Sequence, residues 1–307
     1  MDEKKKWDES IYEEIRGFSF VMNQFFEDTF NGSEYCLTPL EVRILYILDK
    51  SNHLSATYFS NAFHLDPSFI NRLFSRFIQN GLVKKNKSET DHRAYDLYLT
   101  EKGHETCNRI ERTYTEKMNH ILSLLSDDEK NEFIRSIRLM KRIILKTSMP
   151  VQIQEGKEKD LLFASDRFLF CFDQVQPKKE VFRDFFASRI QNSIQEFSKG
   201  NFKYFVAKVS NEVSGGLLVK FDEEKNASIR YFFVEPTMRN AGIGSLLLRE
   251  MLSCCRQEGM KHVFIRCYSF QKGLPPFLRN FFFEKEKSGK TEIAGDSLSW
   301  EIYGKDL

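Results

Sequence analysis

The chain has 307 residues, enough for two domains that each bury a core. Its formal net charge of +2 is nearly balanced, so bulk charge names no polyanionic partner and any basic footprint has to be local. Six cysteines without a C-x-x-C pair give neither a disulfide framework nor a zinc pattern, and no apolar run approaches the ~20 residues that cross a bilayer. The N-terminal MDEKKKWDES also lacks the apolar stretch of a secretory leader. These features predict a cytoplasmic protein with free thiols, no metal and no membrane partner.

Over residues 9–27, Ile11, Ile15, Phe18, Val21, Met22 and Phe25 recur at helical spacing and predict one long amphipathic helix. Thr38, Pro39 and Glu41 supply the N-cap, first-turn proline and capping box of a second helix ending near Lys50. Ser55 caps a short helix that runs to Phe63. Asp66-Pro67 opens another, which reaches Asn80 and stops at Gly81. Two short helices across a tight turn make a helix-turn-helix pattern.

In the second of them Ile70, Leu73, Phe74, Phe77 and Ile78 form the expected buried stripe. Ser68, Phe69, Asn71, Arg72, Ser75, Arg76 and Gln79 are left on or near the other face. Arginine pairs bidentately with guanine and asparagine with adenine, while serine and lysine reach phosphates. An ordinary solvated helix face has the same composition, so the helix alone does not decide. Residues 82–85 and 95–99 then read as a β-hairpin with Lys87, Asp91, His92 and Arg93 in its loop. Lys84, Lys85, Lys87 and Arg93 would thus form a basic wing beside the helix, with Arg93 placed for a minor groove.

Leu37-Thr38, Asp66-Pro67-Ser68, Gly81-Leu82-Val83, Asp91-His92-Arg93-Ala94 and Leu99-Thr100-Glu101-Lys102-Gly103 follow one another in an order that closely resembles the MarR transcription factors. The resemblance spans about residues 11–145. It implies a winged helix-turn-helix that binds double-stranded DNA as a homodimer, clasped by the first helix and by helices over 105–125 and 127–146.

After Pro150 the pattern changes. A brief strand at 151–153, a charged stretch and a phenylalanine-rich helix with Val181, Phe182, Phe185, Phe186, Ile190 and Ile194 lead to strands at 204–209, 215–221 and 227–234. Phe232-Phe233-Val234-Glu235-Pro236 and Arg239-Asn240-Ala241-Gly242-Ile243-Gly244 then run into an apolar helix over 245–258. Glycines bring main chain close to a ligand, and the first N–H groups of a helix lack intrahelical partners, so this turn suits a phosphate. Strands at 262–268 and 296–303 complete a mixed α/β order.

The strand, the Arg-x-x-Gly-x-Gly turn and the helix resemble the acetyl-CoA motif of the GNAT N-acetyltransferases, a likeness that extends from Val151 to the C-terminus. The expected division is 1–148 for the MarR-like domain and 149–307 for a GNAT fold. The resemblance implies that Phe232, Phe233 and Val234 pair with the pantetheine arm and that the N–H groups of Arg239, Asn240, Ala241, Gly242, Ile243 and Gly244 hold the pyrophosphate. It further implies acetyl transfer from acetyl-CoA to an amine acceptor, which needs a base, oxyanion donors and an acid for the leaving thiolate.

Family members often carry that acid as a tyrosine in an F-Y-x-x-x-G-F run. Here Leu278 stands at the tyrosine and Phe282 at the glycine, and Tyr268 replaces an asparagine common at the end of the preceding strand. Leucine has no proton to give. Tyr268, Tyr231 and Glu235 are the remaining catalytic candidates, with Cys267 beside Tyr268, while His262 reads as a surface residue. Two functions stay open: a DNA-binding regulator that is also an acetyltransferase, and a regulator whose GNAT half binds acyl-CoA as a sensor without turnover.

Overall fold

The computed structural model describes residues 9–30, 37–50, 54–87, 95–157, 160–161, 167–169, 180–197, 200–293 and 295–307. They fall into two units, one within 1–132 and one within 133–307 that also takes in 61–64.

In the first unit, helix α1 spans Glu9–Phe30, α2 Pro39–Asp49, α3 Ala56–Phe63 and α4 Pro67–Gln79. The predicted caps are in place. The Thr38 main-chain N–H donates to the Glu41 carboxylate at 2.8 Å, and the Glu41 N–H donates back to the Thr38 hydroxyl at 3.4 Å. Asp66 accepts from the Phe69 N–H at 2.9 Å, so α4 starts at Pro67. Gly81 ends it with a φ of 72°, a left-handed value that glycine adopts without strain. Phe59, Ile70, Phe74 and Phe77 are fully or almost fully buried, and the three phenylalanines pack ring against ring, Phe59 to Phe74 at 5.2 Å and Phe74 to Phe77 at 6.0 Å. Ile78, expected in that stripe, is instead 36% exposed, because it lies at the edge of the helical arc that meets the core.

Strands β1 (Val83–Lys87) and β2 (Tyr95–Leu99) form the predicted hairpin, and Leu54 adds a bridge to Leu97. The wing loop with Asp91, His92 and Arg93 lies outside the described residues. Helix α5 (Glu101–Ser123) begins four residues earlier than predicted, since Thr100 caps it by accepting from the Gly103 N–H at 3.0 Å. Helix α6 (Asp127–Thr147) starts behind a Ser126–Glu129 capping box, and its residues from Phe133 on belong to the second unit.

The second unit is built on a seven-stranded sheet in the order β3-β4-β5-β6-β7-β9-β8. Strand β3 is Gln152–Glu155, β4 Phe202–Val209, β5 Glu212–Phe221, β6 Asn226–Val234, β7 His262–Tyr268, β8 Glu284–Ile293 and β9 Asp296–Asp306. Helix α7 (Glu180–Phe197) precedes β4, α8 (Ile243–Gln257) joins β6 to β7, and the short α9 (Leu274–Arg279) follows β7. All pairings are antiparallel except β6 with β7. Ile243, Leu247, Leu248, Met251 and Cys255 of α8 are buried in a core with Leu217, Val219, Ile229 and Ile265 of the sheet. Strand β8 was not predicted. Its sequence, EKEKSGKTEI, has no apolar alternation because it is an edge strand, and its charges discourage further strand pairing.

Gly103 marks the closest approach in the first unit, where an added Cβ would overlap the Leu82 carbonyl oxygen and press on the Leu99 side chain. Gly103→Ala should therefore destabilise the winged-helix unit by about 1–3 kcal/mol. Denaturant unfolding followed by helix signal checks this, and an unchanged midpoint would contradict the packing described.

Candidate functional site

β6 and β7 pair only over Asn226↔His262 to Ile229↔Ile265. On the other side of β6 the register with β5 shifts, Val219 facing Ile229 and Leu218 facing Tyr231, so Arg230 is an extra residue on β6. Such a bulge raises local twist and re-aims the strand. From there β6 and β7 part, and the main chain of Phe232 and Phe233 faces an opening where a strand would otherwise sit. Its other edge stays bonded to Gly216 and Leu217 of β5. Phe232 and Val234 point toward α8, where both lie near Gly244.

The 3₁₀ turn Pro236–Met238 carries β6 into the glycine turn. Asn240 and Gly242 adopt left-handed φ values of 62° and 91°, and α8 starts at Ile243. A Cβ on Gly242 would meet nothing within 4 Å, so open space lies before it. Among the described residues, no main-chain carbonyl accepts from the N–H groups of residues 240–244. Five donors thus converge at a helix N-terminus, where the helix dipole also favours an anion. Arg239 is exposed, and its Nε donates to the Val234 carbonyl at 3.1 Å, holding the turn against the end of β6.

The catalytic candidates are spread around this opening. Tyr268 ends β7, lines the cleft below the parting strands, and has its ring fixed edge-on to Phe186 at 4.8 Å and stacked with Phe270 at 5.9 Å. Tyr231 also lines the cleft, but its hydroxyl is buried without a partner among the described residues, and burial pushes its pKa well above the ordinary value. Glu235 is buried and both its oxygens accept from Arg167, so acting as a base would require breaking a buried ion pair. Leu278 is fully buried in the α8 core. Phe282 is 80% exposed with a φ of 61°, the left-handed geometry that explains a glycine at the corresponding place in the family motif. His262 is half-buried between Glu286 and Asp306, at 3.0 and 2.7 Å, away from the cleft. The interaction that sequence reading missed is Arg167 with Glu235, 68 residues apart in the chain.

In the first unit Ser68, Asn71, Arg72, Ser75 and Arg76 are all exposed on one side of α4. They are not equivalent. Arg76 pairs with the Glu41 carboxylate of the α2 cap, and the Ser75 hydroxyl donates to the Asn71 carbonyl at 2.8 Å. The Arg72 and Asn71 side chains are exposed on the same side of the helix. Lys84, Lys85 and Lys87 are exposed on β1, with Lys85 over the Tyr95 ring at 5.2 Å.

A helix-turn-helix with a hairpin wing, followed by a mixed sheet whose central parallel pair splits above a glycine turn, defines a winged-helix regulator coupled to an acyltransferase fold. The comparisons agree with that class. The model of the MarR family matches residues 37–94, and that of the acetyltransferase (GNAT) family matches residues 166–281. The HTH-type transcriptional regulator BilQ of Clostridioides difficile is 30% identical over 115 residues, covering 36% of this chain and 78% of that protein. The chain belongs to the MarR family of regulators and carries a GNAT region behind its winged helix. Among solved structures, a ribosomal-protein-alanine N-acetyltransferase from Brucella melitensis is 18% identical with a TM-score of 0.43, covering 51% of this chain and 99% of that one. A ribosomal L7/L12 α-N-protein acetyltransferase, RimL, solved in complex with coenzyme A, is 16% identical with a TM-score of 0.41, covering 52% of this chain and 96% of that one.

Burial first, and the charge of Glu301 after it, push the Cys267 thiol up to about 12. At pH 8 the thiol is therefore protonated and unreactive, although it neighbours Tyr268. Iodoacetamide at pH 8 should leave Cys267 unmodified in the folded protein and alkylate it in urea, as read by peptide mass mapping. Rapid labelling of the folded chain would show that the thiol is open and ionised.

Proposed function

We propose that this chain is a homodimeric DNA-binding regulator of 1–148 joined to a GNAT domain of 149–307 that binds acetyl-CoA and transfers its acetyl group to an amine. The observation that carries the reading is the parted β6–β7 edge ending in five unpartnered N–H groups at the head of α8. Phe232, Phe233 and Val234 offer main chain along the opening for the pantetheine arm, and residues 239–244 form the pyrophosphate cradle. Acetyl-CoA, when bound, supplies the thioester. The chain's own part is to hold it along β6, exclude water with Phe232 and Phe277, and set the Tyr268 hydroxyl beside the cleft as the proton donor. Tyr231 keeps its proton, and Glu235 holds Arg167 in place.

In the first unit, α4 would enter the major groove with Asn71 and Arg72 reading bases, Ser68 and Ser75 alongside, while Lys84, Lys85, Lys87 and Arg93 reach the backbone. Arg76 orients α4 through Glu41. Dimerisation is supported by apolar side chains left exposed on α1 and α6, among them Phe20 at 71% and Ile143 at 52%.

A second reading, acyl-CoA sensing without turnover, has its own support. The tyrosine position of the family motif is a leucine buried in the core, and Glu235 is held in an ion pair. Calorimetry with acetyl-CoA, followed by thiol release over an amine panel, separates the two. Binding with release above the uncatalysed rate supports the enzyme, and binding without release leaves the sensor.

Two variants test the sites. Gly242→Asp keeps a residue type that tolerates left-handed φ but sets a carboxylate in the phosphate cradle, so acetyl-CoA affinity should fall by about tenfold or more at nearly unchanged stability. Wild-type affinity in that variant would remove the turn from the binding site. Arg72→Ala should weaken operator binding and reduce the slope of log K against log salt by about one if Arg72 contacts a phosphate, or leave the slope and relax base preference if it reads a base. Unchanged affinity and preference would take α4 out of the interface.

A further inference from the structure

The cleft below the parting of β6 and β7 has a volume of about 300 Å3 and is bounded by α7 and the facing side of the sheet. Its lining includes four aromatic side chains, Phe168, Phe186, Tyr231 and Tyr268. It also includes four cations. Arg189 comes from α7, Lys220 from β5, Arg230 from the bulge of β6 and Arg266 from β7. Glu196 is the one carboxylate among the described lining residues, and it accepts from Lys220 at 2.8 Å. That pair cancels.

Three guanidinium groups remain. Arg189 lies over the Phe185 ring at 5.4 Å and Arg266 over the Trp300 indole at 4.4 Å, contacts that orient the planes without neutralising the charge. No described carboxylate forms an ion pair with Arg189, Arg230 or Arg266. Desolvation first, and then the charges of Arg189 and Arg266, hold the Arg230 guanidinium below its ordinary range, with Glu196 opposing. Like charges gathered in a partly enclosed cleft repel one another, and an anion placed among them relieves the repulsion.

We propose that this cleft receives an amine acceptor that carries a carboxylate or phosphate group on an aromatic or otherwise planar body, its anion held by Arg230 and Arg266 and its ring against Phe186 and Tyr268. The assignment rests on the acetyltransferase reading above and narrows its substrate class. Polyamines and unmodified lysine side chains, which bring only positive charge, are disfavoured. The cationic lining also favours loss of a proton from the acceptor ammonium to solvent. The neutral nitrogen then attacks the thioester carbonyl, forming the C–N bond and breaking C–S. The nitrogen's surplus proton is released as the coenzyme thiolate gains one, giving the N-acetyl product and free thiol.

Trp300 makes the cleft its own reporter. The chain has two tryptophans, so Trp7→Phe leaves Trp300 as the single emitter in the full-length protein. Benzoate, phenyl phosphate and benzylamine are titrated at low salt, by fluorescence and in parallel by calorimetry. At least one anion should bind about tenfold more tightly than benzylamine and perturb Trp300, which of the two distinguishing a carboxylate from a phosphate site. Arg230→Gln, or Arg266→Gln if the first variant does not fold, should weaken that anion about tenfold, while Arg256→Gln in the exposed last turn of α8 leaves it unchanged. Equal or tighter binding of benzylamine, no anion binding, or wild-type anion affinity in the cleft variant overturns the proposal. A separate titration with acetyl-CoA keeps the two readings apart. Anion binding without acetyl-CoA binding contradicts the acetyltransferase and sensor readings and leaves the cleft's preference standing. The converse contradicts this inference alone.

Discussion

Four residue pairs join β6 to β7, and then an extra residue on β6 turns the two strands apart. That bulge at Arg230 is the constraint on which the shape of the second unit's opening depends. If β6 and β7 stayed paired to their ends, the main chain of residues 230–234 would be satisfied by β7 and could accept no ligand. The parting gives one edge of β6 to a guest while the other stays bonded to β5. It also directs the glycine turn and the start of α8 to the same opening. The bulge sends Arg230 and Tyr231 into the cleft on the α7 side, while Phe232 and Val234 face α8. One backbone irregularity therefore shapes both the opening toward α8 and the cleft on the α7 side.

The first unit follows a different physical logic, in which caps locate the helices and the helices locate the basic groups. Glu41 illustrates it. One carboxylate closes the cap of α2 and pairs with Arg76 on α4, so the entry of one helix and the orientation of the other are set by the same side chain. Arg72, one turn back on α4, makes no ion pair among the described residues. The wing lysines, spaced along β1, extend the same positive surface.

Local chemistry made much of this readable in the sequence. Thr38-Pro39-x-Glu41, Asp66-Pro67 and Ser126-x-x-Glu129 each set a helix start to within a residue, because a cap is a contact between near neighbours. The turn at Arg239–Gly244 was equally visible as a strand-to-helix junction, since left-handed geometry at Gly242 is a local property of glycine. What escaped were features fixed by distant partners. Strand β8 has no apolar pattern and exists because β9 pairs with it. The cationic cleft joins residues from α7, β5, β6 and β7 that no spacing connects. Glu235, a catalytic candidate from its place beside the central strand, meets Arg167 across a long stretch of chain. Cys267, by contrast, packs as a cysteine in an apolar strand is expected to, because alternation along β7 turns it into the α8 core.

Hydrogen exchange of the full-length chain, compared with and without coenzyme A, tests the central claim most directly. The account predicts slowed exchange at the amides of residues 240–244 and along 232–234 when coenzyme A is present, because the ligand would become the acceptor those donors lack. Unchanged exchange in both segments at saturating coenzyme A, with protection arising elsewhere, would contradict it.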